Sequence, residues 1–285
     1  MEKQKKPIKV AAVPYLNALP LYVGLPKILP EVMIYYLPPV EAAQALRAGK
    51  VDIGLIPIFS LLHSGIKDIV ALPDLGICCK GEVLSVFIGS RSPLDQINEI
   101  YLDPESQTSA ALIRILAPEF FSKSVKFLST LPGYEKEIFG KRAGLIIGDR
   151  ALKLREQFPY RLDLGKAWNE FTGFPFVFAL WAINRENAQP RIVDALRLSA
   201  QLGLQKKSEI TSNWSKANGV PEIMAKRYLE EHIYYQVGSK EQQGIKHFNH
   251  LAIAMNMVQP NREITYYETS GYNRSGIGRK ALGSI

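Results

Sequence analysis

The chain has 285 residues, of which 47% are hydrophobic and 22% charged, and a formal net charge of +8 at pH 7. This is an ordinary globular balance with enough apolar material for one large or two modest domains, and it excludes fibrous, repetitive and disordered classes. More than half of the positive excess lies in residues 1–9 and after 259, so the body is mildly basic; without a basic helix or an aromatic-basic strip, no nucleic acid is expected as a partner, and a small anion is favoured.

Lys9–Val13 reads as a buried strand. Asn17 to about Leu25 reads as a helix with Asn17 as its cap. Met33–Leu37 is strand-like, Val40–Ala48 has helical spacing and stops at Gly49, and Val51–Ile56 is a short buried strand ending at Pro57. Phe59–Leu62 begins a short helix. This alternation predicts an α/β chain with a mainly parallel sheet.

Val83–Ile88 is the next extended run, followed by a strand at Glu99–Leu102 and a helix at Ser106–Leu116. Ala143–Ile147 reads as a buried strand that turns through Gly148-Asp149-Arg150 into a helix at Ala151–Gln157. Leu162–Leu164 and Phe176–Ile183 are extended. From about Pro190 the pattern is all-helical: Arg191–Leu204, Ser208–Ala217, Pro221–Tyr235 and Lys240–Met257, the last opened by Ser239 and Gln242 as a capping box. The segment 259–285 loses periodicity and is expected to be a mobile tail.

One topology accommodates this order. Residues 1–87 and 178–258 would form one lobe and 88–177 a second, with crossings near Ser85–Ser90 and Phe174–Ala179 and a ligand cleft between the lobes. Ligands of open parallel sheets bind beyond the carboxyl ends of strands. The loops at Pro14–Asn17, Pro57–Ser60, Ser106–Ser109 and Gly148–Arg150 lie there.

The apolar run Ile8–Val13 is too short for a secretory signal and no run of about 18 apolar residues exists, so no membrane insertion and a cytoplasmic location are expected. Cys78 and Cys79 are adjacent, a poor geometry for a disulfide. With no CxxC and no His or Cys at ligand spacing, no metal is expected, and His247 with His250 reads as an ordinary helix face. Neither nucleotide-binding glycine pattern nor a G-x-S-x-G elbow is present.

What remains is a cleft of hydroxyls and amides. Ser106, Thr108 and Ser109 open a helix directly after a strand, where hydroxyls and free N–H groups suit a carboxylate; a simple helix cap explains them too. Asn17 reads as a cap or as an amide that orients a substrate. Asp149 reads as a general base or, by spacing, as a cap of the Ala151 helix. Trp168, Phe171, Phe174, Phe176 and Phe178 read as core or lobe contacts.

These positions also carry a family resemblance. Pro14-Tyr15-Leu16-Asn17-Ala18-Leu19-Pro20-Leu21 resembles the S-Y-L-N-x-x-P-L opening of the chorismate dehydratase family of the futalosine route to menaquinone. Val51–Pro57 is similar to its D-x-x-L-x-P segment, and Asp103–Ser109 with Ala111–Leu116 to its D-x-x-S-x-T-S-x-x-L-x-R block. Gly148–Leu152 matches G-D-x-A-L. Asp163-Leu164-Gly165 with Ala167-Trp168, followed by Thr172–Trp181, is the longest match.

The resemblance implies a periplasmic-binding-protein-like fold with two crossover strands, and removal of water from chorismate to give 3-[(1-carboxyvinyl)oxy]benzoate without a cofactor. It places Asn17 in catalysis. It places Tyr15, Pro57, Ser85, Ser106, Thr108, Ser109, Gly148 and Asp149 around the substrate. It implies that the substrate's own enolpyruvyl carboxylate takes the proton. A non-catalytic carboxylate-binding protein of the same fold is the alternative; a sister naphthoate synthase would carry a histidine in the Gly148-Asp149-Arg150 turn. Pro14, Cys79 and Glu82 depart from the family pattern, and Glu82 would oppose an anion if it faced the cleft.

Overall fold

The structure, a computed structural model, describes residues 7–64, 68–121 and 124–268. Eleven strands among them form two sheets. The first holds β1 (Ile8–Ala12), β2 (Val32–Tyr36), β3 (Ile53–Pro57), β4 (Ile69–Cys79), β10 (Phe176–Asn184) and β11 (Tyr234–Gln236), in the order β11-β4-β10-β3-β1-β2. The second holds β5 (Val86–Ser90), β6 (Glu99–Leu102), β7 (Lys126–Ser129), β8 (Arg142–Ile147) and β9 (Tyr160–Asp163), in the order β7-β6-β8-β5-β9.

The molecule is a two-lobed α/β protein, and each sheet is mixed rather than mainly parallel. β1 runs parallel to β2 and β3, while β10 is antiparallel to β3 and β4. In the second sheet β6 is parallel to β7 and β8, and β5 is antiparallel to β8 and β9. β5 and β10, the first strands after each crossing, run against their neighbours because the chain re-enters a sheet from its opposite end, and β11 is antiparallel to β4 at the sheet edge.

Eleven α-helices are described: α1 (Leu19–Tyr22), α2 (Leu25–Ile28), α3 (Pro39–Arg47), α4 (Ile58–Ser64), α5 (Gln107–Phe120), α6 (Gly148–Leu154), α7 (Leu164–Thr172), α8 (Pro190–Gln205), α9 (Lys207–Asn218), α10 (Glu222–Arg227) and α11 (Ser239–Ala254). The apolar strand β3 and the largely apolar β10 sit mid-sheet, and every residue of β3 is buried. Trp168 and Trp181 are among the largest fully buried side chains, each a transfer contribution of about 2–3 kcal/mol.

Several expected elements differ. Residues 17–28 form two short helices, and the residue before α1 is Ala18, so Asn17 caps nothing. The helix expected over Pro221–Tyr235 stops at Arg227, continues as one π turn over Tyr228–His232, and gives way to β11. The last helix is capped one residue earlier than expected: Glu241, not Gln242, accepts the Gly238 N–H at 2.8 Å. Strand membership changes between Cys79 and Val86 and again between Asp163 and Phe176, so β5 and β10 each lie wholly in one sheet. Residues 265–267 pair with β4 at Ala71, so this part of the expected mobile tail is docked; 269–285 lie outside the described residues.

Asp163 ties the two crossings together. Its carboxylate accepts N–H groups from Val83 and Leu84 on the first crossing and from Gly165 and Lys166 at the start of α7. Gly165 is required beside it: a Cβ there would lie 2.6 Å from the Gly81 carbonyl oxygen and 2.7 Å from Cys79 Sγ. Burial pushes the Asp163 carboxyl above the ordinary carboxylate range, opposed by the N–H groups it accepts.

Candidate active site

The carboxyl ends of β1, β3, β6 and β8 converge on one cleft between the sheets, with a volume of about 580 Å³ including its solvent-facing mouth. Eight of the nine residues singled out from the sequence line it: Tyr15, Asn17, Pro57, Ser85, Ser106, Thr108, Ser109 and Gly148. Its apolar wall comes from Leu55, Ile77, Val86, Ile147 and Phe178. Phe178 is thus a cleft residue as well as a core contact.

The start of α5 supplies one polar wall. Ser106 is its cap, accepting the Ser109 N–H at 3.2 Å and donating its own proton to Ser109 Oγ at 2.8 Å. Thr108 Oγ1 accepts the Phe59 N–H at 3.2 Å. Both the Thr108 and Ser109 oxygens therefore act as acceptors within the protein, which leaves their protons to be donated into the cleft. Helix α5 adds the N–H groups of its first turn and the positive end of its dipole. Capping and cleft lining are the same geometry here.

Asn17 and Ser85 supply the other polar wall. Both meet Tyr228, which is fully buried: its hydroxyl donates to Ser85 Oγ at 2.7 Å and hydrogen-bonds the Asn17 side chain. Ser85 follows Leu84, a non-glycine residue at φ +60°, and the Ser85 carbonyl accepts the Gly148 N–H at 2.8 Å. The crossing segment is thus held by the turn after β8.

Asp149 is not part of the lining, and it caps no helix through its side chain. Its carboxylate accepts the Leu16 N–H at 2.9 Å and the Trp214 indole N–H at 2.9 Å. It anchors the backbone next to Asn17. Burial raises its pKa above the ordinary carboxylate value, and the two N–H donors oppose that rise.

Gly148 sits at φ +61°, and a Cβ there would lie 2.9–3.1 Å from the Tyr15 ring. The Tyr15 hydroxyl donates to Glu105 at 2.8 Å. Burial, then Glu105, drives the Tyr15 hydroxyl far above its ordinary pKa. Behind it, Arg150 binds Asp103 at 2.5 Å, Glu135 at 2.6 Å and Glu105 at 3.5 Å. None of these four charged side chains lines the cleft.

The departures from the family pattern lie outside it. Pro14 and Glu82 are exposed and Cys79 is buried against Gly165, and none lines the cleft. No lining residue is an acid, a histidine, a lysine, an arginine or a cysteine. Among the described residues, no group of three or more His, Cys, Asp or Glu side chains could hold a metal ion, and no helix is long and apolar enough to cross a membrane.

A family model described as menaquinone biosynthesis matches residues 8–254. The chain belongs to that family. It is 29% identical to a chorismate dehydratase of Thermus thermophilus, over 82% of this chain and 94% of the relative. It is 28% identical to a chorismate dehydratase of Campylobacter jejuni, over 86% and 98%. Among solved structures, the alkanesulfonate-binding protein SsuA of Xanthomonas axonopodis pv. citri, bound to MOPS, is similar in fold. Its TM-score is 0.68 at 14% identity, covering 92% of this chain and 97% of that one. The similarity is one of fold: the two-lobed α/β architecture is periplasmic-binding-protein-like.

Proposed function

We propose that this family member is a chorismate dehydratase that eliminates water from chorismate to give 3-[(1-carboxyvinyl)oxy]benzoate. The observation that carries the reading is the chemistry of the cleft: hydroxyl and amide groups on two polar walls, apolar side chains between them, and no acid, histidine or lysine in the lining. The names of the curated relatives agree with it.

The reaction suits such a lining. Loss of the ring C3 proton delivers an electron pair that is vinylogous to the ring carboxylate, and loss of hydroxide from C4 completes an aromatic ring. Proton and hydroxide leave together as water, so atoms and electrons balance without a redox partner. Thr108, Ser109 and the α5 N-terminus would hold one carboxylate and stabilise charge that develops on it. Asn17 and Ser85 would orient the C4 hydroxyl and assist its departure. With no lining base, the enolpyruvyl carboxylate of the substrate is the natural proton acceptor, and the enzyme contributes mainly orientation.

Purified protein incubated with chorismate alone should yield the aromatic product, followed by absorbance and mass spectrometry. A folded sample that binds chorismate without converting it would overturn the reading in favour of a carboxylate-binding protein.

A further inference from the structure

Tyr228 is fully buried, does not line the cleft, and lies on the π turn that ends α10. Its hydroxyl still reaches both members of one polar wall, Ser85 Oγ at 2.7 Å and the Asn17 side chain. A phenol hydroxyl has one proton, so it can donate to only one of its two neighbours and must accept from the other. Donating to Ser85, it accepts from the Asn17 NH₂ group. The Asn17 carbonyl oxygen is then left to the cleft as an acceptor, and the Ser85 proton is left as a donor.

We propose that Tyr228 is the positioning residue that sets the direction of the Asn17 amide and the Ser85 hydroxyl, and so decides which group offers the cleft a donor and which an acceptor. The inference rests on the dehydratase reading for its catalytic consequence, not for its geometry. The π turn matters because it displaces the chain from an α-helical path at the residue whose hydroxyl must reach the crossing segment at Ser85. Such turns concentrate at functional sites. Burial raises the Tyr228 hydroxyl above its ordinary pKa, so it stays protonated and its single proton remains the constraint.

The experiment is Tyr228→Phe, which keeps the ring and removes the hydroxyl. With chorismate, kcat should fall about 50-fold while KM stays within about threefold, the pattern of lost orientation at the reacting group. Adding Tyr228→Phe to Asn17→Ala should cost nothing further, because the residues act as one unit. The Asn17 side-chain amide resonance should shift in Tyr228→Phe, a readout independent of turnover. Unchanged kcat with an unmoved Asn17 resonance overturns the inference, as does multiplication of the two single losses. If Tyr228→Phe does not fold, Ser85→Ala, which removes the acceptor of the Tyr228 proton, should lower kcat about tenfold and move the same resonance; no change in either overturns it. Wild-type protein that does not convert chorismate, but whose Asn17 resonance responds to Tyr228→Phe, defeats the dehydratase reading and leaves the positioning role standing.

Discussion

The two polar walls of the cleft are built in opposite ways. The α5 wall is local: its cap and its hydroxyls lie within four residues, Ser106 to Ser109, and its partners from elsewhere, the Phe59 N–H and the Ser60 hydroxyl, are themselves sequence neighbours. The Asn17 wall is assembled over long sequence distances, from Asp149 and Trp214 beneath Leu16 and from Tyr228 beneath Asn17 and Ser85. A local wall can form with its helix. A wall assembled from four distant segments exists only in the finished fold. The comparison predicts that the first wall holds substrate and the second orients the reacting group.

The largest effect that could break this division is at Asn17. Asn17→Ala should lower kcat by about 10³-fold with KM little changed and a melting temperature close to the parent, read by steady-state kinetics and thermal unfolding. Gly148→Ala comes next. It places an L side chain at φ +61° against the Tyr15 ring and should cost about 2 kcal/mol in denaturant unfolding together with about 100-fold in kcat/KM.

Ser109→Ala removes from the local wall the hydroxyl proposed to donate to the carboxylate. It should raise KM about tenfold with kcat within about threefold; a fall in kcat instead would erase the distinction between the walls. The smallest effect is in pH. With no titratable base in the lining and Tyr15 held protonated, kcat should be flat from about pH 6 to 9, and a step near the histidine range would expose a base from outside it. Because burial raises Asp149, the acid limb should set in at a higher pH than an ordinary aspartate would give.

How much was legible beforehand follows the same division. β1, β3, β8 and β10 are largely apolar runs with Pro, Gly or Asn at or beside one end, so their place in the core is visible in the sequence. The α5 wall was legible because capping chemistry and strand-end position are both local. Tyr228 was not: it reads as one more residue of a helix, and nothing in spacing foreshadows a π turn or a partner 143 residues away. The anchoring contacts of Asp149 were hidden for the same reason, since its partners lie 133 and 65 residues distant. β4 was missed because Pro73, Asp74 and Gly76 interrupt its apolar pattern, and its pairing with β10 accommodates them through shifts in register.

The Asp163 carboxylate holds both crossing segments at one point. Two connections pinned separately would let one sheet slide past the other. Two connections pinned to a single group leave rotation as the cheap degree of freedom. Under the proposed function, the walls that carry Asn17 and Ser109 would then change their separation along an arc, and a bound ring would be gripped or released as a whole rather than sheared from one end.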